Sequence, residues 1–369
     1  MKVAFMMGSL NRGGTETLLL DCFQHRSSAA FDFIGIYRKE GQLSDAYCET
    51  QVPLFRLRPR SVFDLRYFWH LRRFIHSEQL TLLHAQQPLD AVFARMASFG
   101  MPVKIVLTLH GYDYGLHRFE RWLMRVALRL SDRILCVSNT QKAYYQQRYS
   151  LPTAKIRTLY NGISFEKLDQ AVMSSIREEL HLPKECLLLG SVGNFVSVRD
   201  QMTLCRFLKI AHASTLDFRF LFVGAKSASE PERYDECVRY CTENGLMSHV
   251  LFLGTRHDVP SILNQLDAFL YASDHDTFGI AVIEAMASRV PVFVNDWEVM
   301  REITDEGRYA TLYKTKQEED LWRVFHDFIT HPDSYRQKAQ QAATWTRQHF
   351  SIQSYLSQLK EIYMEVSKE

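Results

Sequence analysis

The sequence predicts two α/β domains in tandem, each a doubly wound parallel sheet. Apolar strand-like runs alternate with helical patterns up to residue 159, a charged and weakly apolar stretch interrupts them near 165–185, and the alternation then restarts. Regular alternation of strand and helix implies parallel sheets covered by helices. A length of 369 residues exceeds what one core usually organises, and 46% hydrophobic residues with 12% aromatic suffice for two.

In the first half the strand-like runs fall at 3–7, 33–37, 82–85, 103–109, 134–137 and 156–159. In the second half they fall at 187–192, 218–223, 250–253, 268–271 and 292–294. Short apolar runs bounded by turn residues mark strands buried on both faces. Between the halves a charged helical pattern from 166 to 179 leads to His181-Leu-Pro-Lys184, which places the boundary at 170/171. A polar helix rich in Gln and Ala then precedes a last helix, 351–366, with Tyr355, Leu356, Leu359, Ile362 and Tyr363 on one face. The opening run Met1 to Met7 is too short for a signal peptide and reads as the first strand. No run reaches the ~18 apolar residues of a membrane span. The seven cysteines lack paired C-x-x-C spacing and read as reduced residues of a cytoplasmic protein.

The net charge of +2 conceals an asymmetry: residues 1–165 carry 22 Lys+Arg against 12 Asp+Glu, leaving 22 against 30 for the rest. Much of the positive charge lies in Arg56, Arg58, Arg60, Arg66, Arg72 and Arg73, interleaved with Phe63, Tyr67, Phe68, Trp69 and Phe74. A second basic stretch, 117–129, carries Phe119 and Trp122. Basic helices with aromatic anchors suit an anionic membrane surface, the expected partner of this half. Two amphipathic helices packed on a sheet with their arginines in water would read the same way. No nucleic-acid-binding motif is visible, so nucleic acid is not an expected partner.

The most informative stretch is 273–292, an acidic loop and helix between two strands. Asp276 lies on the loop, Phe278-Gly279-Ile280 opens the helix, and Glu284 stands one turn in. Helix N-terminal amides suit a diphosphate, and two carboxylates suit the hydroxyls of a sugar and a ribose. The plainer alternative is that Asp276 caps the helix and Glu284 faces water. Asp274-His-Asp276 has the form of a metal-binding Asp-x-Asp, but its place directly before a helix fits the acidic loop, and no metal is expected.

This stretch resembles the E-x7-E signature of retaining glycosyltransferases of the GT-B fold, family 4 in particular, with Asp276 at the first acidic position and Glu284 at the second. The resemblance implies two Rossmann-like domains facing a cleft: an acceptor-binding domain, 1–170, a nucleotide-sugar domain, 171–345, and a final segment, 346–369, crossing back onto the first. It implies that Asp276 contacts the sugar and Glu284 the ribose. Gly8-Ser-Leu-Asn-Arg-Gly-Gly-Thr-Glu16 resembles the family's opening Gly-Gly-x-Glu, which gives Gly13 and Gly14 the donor phosphates and the acceptor to face. His110, at the end of a strand in Thr108-Leu-His-Gly, matches a family histidine at the reacting centre, and His84 resembles another strand-end histidine. In Gly190-Ser-Val-Gly-Asn-Phe-Val-Ser-Val-Arg199 the family shows an Arg and a Lys for the leaving diphosphate. Here Asn194 and Arg199 stand in those places, so one full cation survives. Leu251-Phe-Leu-Gly-Thr-Arg256 resembles the segment that receives the nucleobase, which brings Arg256 towards the nucleotide, and Asp258 reads as the cap of the next helix. Tyr160-Asn-Gly-Ile163 matches an Asn-Gly turn.

The expected reaction is transfer of a sugar from a nucleoside diphosphate sugar, UDP-linked by expectation, to a hydroxyl of a lipid-linked oligosaccharide or other glycan. Surface polysaccharide assembly, capsule or lipopolysaccharide, is the expected setting, and the expected location is cytoplasmic and peripheral on the inner face of the membrane. A non-catalytic sugar-nucleotide-binding module and a sugar-nucleotide 2-epimerase of the same fold are the alternatives.

Overall fold

The computed structural model describes residues 1–61, 64–170, 175–183 and 185–368. Phe63, Lys184 and residues 171–174 of the interdomain stretch lie outside them. The chain forms two compact units: Met1–Ile163 with Phe350–Glu369, and Ser164–His349.

The first unit is built on seven parallel strands, β1 (Lys2–Ser9), β2 (Asp32–Lys39), β3 (Leu54–Arg56), β4 (Leu82–Ala85), β5 (Lys104–Leu109), β6 (Arg133–Cys136) and β7 (Ile156–Thr158). Their order across the sheet is β3-β2-β1-β4-β5-β6-β7. In the second unit β8 (Leu187–Val192), β9 (Phe218–Val223), β10 (Val250–Gly254), β11 (Ala268–Tyr271), β12 (Val292–Asn295) and β13 (Thr311–Tyr313) are also parallel. Their order is β10-β9-β8-β11-β12-β13. The strand order reverses between β1 and β4 and again between β8 and β11, and the crevice beyond the carboxyl ends at such a reversal is where doubly wound sheets bind ligands. Every strand read from the sequence is present. The additional β3 and β13 are three-residue edge strands, only partly buried, whose pairing to one neighbour leaves no apolar run to detect. The charged stretch at 166–179 is not one helix: Glu166–Asp169 and Ile176–Glu179 are separate turns.

The last helix, Ile352–Lys368, buries Ile352, Tyr355, Leu356, Leu359, Ile362, Tyr363 and Val366 in the first unit's core beside Phe5, Phe23 and Phe33. Each such side chain stabilises by about 1.5–3 kcal/mol as an upper bound. Gly162 has a packing role beyond the expected turn, since a Cβ there would stand 2.6 Å from Tyr355 Cβ. His84 is fully buried: Nδ1 meets Tyr363 Oη at 2.6 Å and Nε2 meets Thr108 Oγ1 at 2.7 Å. It therefore joins the last helix to the sheet, and burial drives its pKa down to about 3. Six cysteines are buried and Cys48 is exposed.

On the opposite face, helix Leu65–Ser77 buries Tyr67, Leu71 and Ile75, and helix Arg118–Leu130 buries Met124, Ala127 and Leu128. Their outer faces leave Trp69 and Trp122 more than half exposed, with Phe119 stacked on Trp122 and Arg73 over Trp69. Phe99, 79% exposed, belongs to the same layer, and its carbonyl accepts from Arg72 at 2.6 Å. No helix among the described residues is long and apolar enough to cross a membrane.

Candidate functional site

In the second unit the loops after β8 and β11 are joined along their backbones. Arg199 and Ser273 form an antiparallel bridge, Asp200 N donates to Ala272 O at 3.1 Å, and Asp274 N donates to Val198 O at 3.0 Å. Joining these loops brings Arg199 and Asp276 together. Arg199 Nη1 lies 3.2 Å from Asp276 Oδ2, and the guanidinium lies over the Tyr271 ring at 4.6 Å. Tyr271 also donates its hydroxyl to Asp276 Oδ2. The ion pair is close but poorly aligned, and Arg199 Nε and Nη1 are buried without a hydrogen-bond partner. Burial raises the Asp276 pKa above the usual carboxylate range, and Arg199 opposes that rise.

Glycines make room for this arrangement. Gly193 lies beneath Arg199, where a Cβ would be 3.2 Å from Cζ. A Cβ on Gly224 would be 2.1 Å from Gly193 O, so these two turns touch backbone to backbone. Asn194 is exposed, and its Oδ1 accepts from Ala225 N at 2.9 Å, which fixes the turn.

Asp276 does not cap the helix that follows. Gly279 takes the N-cap position at φ 87°, a left-handed conformation that suits glycine. The helix Ile280–Ala287 is buried except at Ile280 and Glu284, which share one face four residues apart. Its first N–H groups have no intrahelical acceptor and form a partial positive charge at Phe278-Gly279-Ile280. Asp274 pairs with Lys316 at 3.0 Å, so the two acidic side chains of Asp274-His-Asp276 are held by different cations.

Sequence reasoning missed the layer that holds this loop. Asn295, buried at the end of β12, accepts from Ser273 N and donates to Ser273 O, both at 2.8 Å. Ser273 Oγ in turn accepts from Asp276 N at 3.0 Å. Tyr313 donates to Tyr271 O at 2.8 Å. A polar residue closing the apolar run Val292-Phe-Val294 was the available signal for Asn295.

Arg256 is engaged by two carboxylates. It holds Glu179 through Nη1 and Nη2 at 2.6 and 2.8 Å, and Asp258 through Nε and Nη2 at 2.8 and 2.7 Å. Asp258 occupies the N-cap position of Val259–Leu263 but makes no side-chain cap.

In the first unit the carboxyl ends of β1, β4 and β5 surround a cavity of about 360 Å³. His110 stands there, and its Nε2 lies 2.8 Å from Gln86 Oε1. Burial lowers the His110 pKa to about 4, so the ring is neutral at pH 7 and Nε2 donates. Tyr145 Oη and Gln141 Nε2 hold the Gly111 carbonyl at 2.8 and 3.0 Å, which fixes the His110 turn. Gly13 caps helix Gly14–Gln24, and a Cβ there would press on Glu16 Oε2 at 2.6 Å. His84 is not at this rim but in the core, with both ring nitrogens engaged.

Residues 12–167 match the model of Glycosyltransferase Family 4, and residues 172–345 match that of Glycosyl transferases group 1. The chain belongs to glycosyltransferase family 4. This glycosyltransferase is 23% identical to an Escherichia coli UDP-Gal:alpha-D-GlcNAc-diphosphoundecaprenol alpha-1,3-galactosyltransferase, over 77% of this chain and 76% of that one. It is 25% identical to the N-acetyl-alpha-D-glucosaminyl L-malate synthase of Bacillus anthracis, over 87% and 83%. Anabaena Alr3699/HepE, solved in complex with UDP, superposes with a TM-score of 0.86 at 19% identity, over 99% of this chain and 100% of that one. At that identity the likeness establishes the fold, two Rossmann-like parallel-sheet domains of GT-B type.

Proposed function

We propose that this glycosyltransferase moves a sugar from a UDP-sugar to a hydroxyl of a lipid-linked oligosaccharide or other glycan in surface polysaccharide assembly, with retention of configuration and without a metal ion. The observation that carries this reading is the Arg199 guanidinium, two of whose nitrogens are buried and unsatisfied beside the N-terminus of helix Ile280–Ala287. A fixed cation and fixed amides in a water-poor site are what a departing diphosphate requires. The relatives point the same way: one is a UDP-galactose transferase to a diphosphoundecaprenol-linked sugar, and Alr3699/HepE has been solved with UDP-glucose.

In this reading the diphosphate draws Arg199 from Asp276. Asp276 is then free to accept from a sugar hydroxyl, and Glu284 accepts from the ribose. Asn194 adds a neutral amide near the phosphates, Gly13 and Gly14 let the donor approach the first unit's backbone, and His110 shapes the reacting face. The bond from the anomeric carbon to the diphosphate breaks, the bond to the acceptor oxygen forms on the same face, and the acceptor proton passes to the leaving phosphate. The exposed Trp69, Phe99, Phe119 and Trp122 among arginines support peripheral attachment to an anionic membrane from the cytoplasmic side.

The test is a donor screen by thermal unfolding with EDTA present, since a ligand at about 100 times its Kd adds about 2.7 kcal/mol. It is followed by transfer to a polyprenyl-diphosphate-linked sugar and NMR assignment of the product's anomeric centre. Stabilisation by UDP over GDP and a product with the donor's configuration are expected. No shift with any sugar nucleotide, or an inverted product, overturns the reading.

A further inference from the structure

His110 stands on irregular backbone between the end of β5 at Leu109 and helix Arg118–Leu130. A side chain on such a connection keeps one orientation only where other groups hold the backbone. Helix Asn139–Tyr149 supplies them: its Gln141, Tyr144, Tyr145, Arg148 and Tyr149 recur at i, i+3, i+4, i+7 and i+8 and so share a face. A covering helix ordinarily turns an apolar face inward, whereas the groups that meet residues 111–113 here are hydroxyl, amide and guanidinium. Gln141 Nε2 and Tyr145 Oη donate to the Gly111 carbonyl. Tyr144 Oη, Tyr149 Oη and Arg148 Nε donate to the Asp113 carboxylate, the last two at 2.5 and 2.8 Å. Gln141 Oε1 accepts from Val137 N at 2.9 Å, which ties the helix to the chain leaving β6. Asp113 is 1% exposed. Burial works against its charge, but the bonds from Tyr144, Tyr149 and Arg148 outweigh it and hold its pKa below the usual carboxylate range. It is therefore ionised at neutral pH and accepts on both oxygens.

We propose that Asp113 and this polar helix face are positioning residues for sugar transfer: by fixing residues 111–113 they hold the His110 ring against Gln86. The inference rests on the transferase reading above, in which His110 shapes the reacting face. With the clamp loosened, the ring leaves Gln86 Oε1 and meets water, and its pKa, held down to about 4 by burial, climbs towards the ordinary 6.5. Removing the Asp113 charge would by itself lower that pKa, because a nearby carboxylate favours the imidazolium. A rise in Asp113→Asn therefore reports movement of the ring and not the lost charge. The other ionisable groups around it, Glu16, Glu120 and Tyr145 on the cavity wall and the buried His84, are unchanged in that variant.

The test is NMR of the full chain with isotopically labelled histidine, the His110 signals being assigned by their loss in His110→Gln, together with initial rates of transfer. Ring-nitrogen shifts of the native chain should show the tautomer protonated at Nε2. Asp113→Asn should give mixed tautomers and about tenfold more protonated ring at pH 6. Its kcat should fall about tenfold while KM for the donor changes by no more than about twofold, the pattern of a misplaced group and not of lost binding. Tyr149→Phe removes a single hydroxyl, should move both readouts the same way by about threefold, and decides the question if Asp113→Asn does not fold. Folded variants whose ring signals stay as in the native chain overturn the proposal, whether or not kcat falls, and leave the transferase reading standing. A native chain that transfers no sugar refutes that reading, and the ring signals, recorded without substrate, then decide the clamp on their own.

Discussion

Replacing Asp276 by Asn should tighten UDP binding and slow sugar transfer. Asp276 Oδ2 stands 3.2 Å from Arg199 Nη1. At an effective dielectric constant of about 20 that separation corresponds to roughly 5 kcal/mol of gross attraction. The two side chains are only 18% and 11% exposed, so solvent screens the pair weakly, but the same burial imposes a desolvation cost that consumes much of the attraction. About 1.4–2.8 kcal/mol is left for a diphosphate to overcome when it takes the guanidinium, a factor of roughly 10–100 in affinity. Asn keeps the shape and still accepts the Tyr271 hydroxyl, so the loop should fold as before. Calorimetric titration with UDP in EDTA measures the gain, and initial rates of transfer measure the loss of the sugar contact. In an Arg199→Ala background the gain should vanish, because the competitor then has nothing to hold. Weaker or unchanged UDP binding by Asp276→Asn would refute the competition and with it the assignment of Arg199 to the diphosphate.

Glu284→Ala removes a charged acceptor on the open strip of a buried helix. It should weaken UDP by about 1.5–3 kcal/mol while thermal unfolding of the free protein moves little; calorimetry and a melting curve check both. Gly279→Ala forces a Cβ into a φ of 87° and to 2.9 Å from Met300 Cε. A stability loss of about 1–3 kcal/mol in urea titration and loss of UDP binding are expected together. His84 titrates at about 3 in the folded chain against 6.5 ordinarily. A lowered folded-state pKa favours the neutral ring, so this stabilisation is complete above pH 6.5 and is lost as pH falls towards 3, at most roughly 5 kcal/mol. Urea midpoints from pH 8 to 4 should fall steeply for the native chain and less steeply for His84→Gln; parallel curves would count against the coupling. Trp69→Ala with Trp122→Ala should reduce sedimentation with phosphatidylglycerol vesicles, leave neutral vesicles unaffected and keep UDP affinity, a pattern that high salt should mimic.

The sequence by itself determined the parallel sheets, because strands buried on both faces must be apolar runs, and it located the acidic loop, whose carboxylates have no reason to interrupt a core except chemistry. Gly279, which opens the helix after that loop, was legible as well. It did not determine which groups meet. Arg199 and Asp276 lie 77 positions apart, and only the reversal of strand order that sets β8 beside β11 brings their loops into register. Arg256 reads as a residue beside the nucleotide, yet two carboxylates, Glu179 and Asp258, take its guanidinium. His84 and His110 both read as strand-end histidines. The structure separates them, because β4 carries His84 against Tyr363, 279 positions away, whereas His110 stands beyond the end of β5 at the rim of a cavity. Pattern and propensity are local and survive in the sequence; ion pairing, orphaned donors and cavities depend on distances between segments, which the chain acquires only when its sheets assemble.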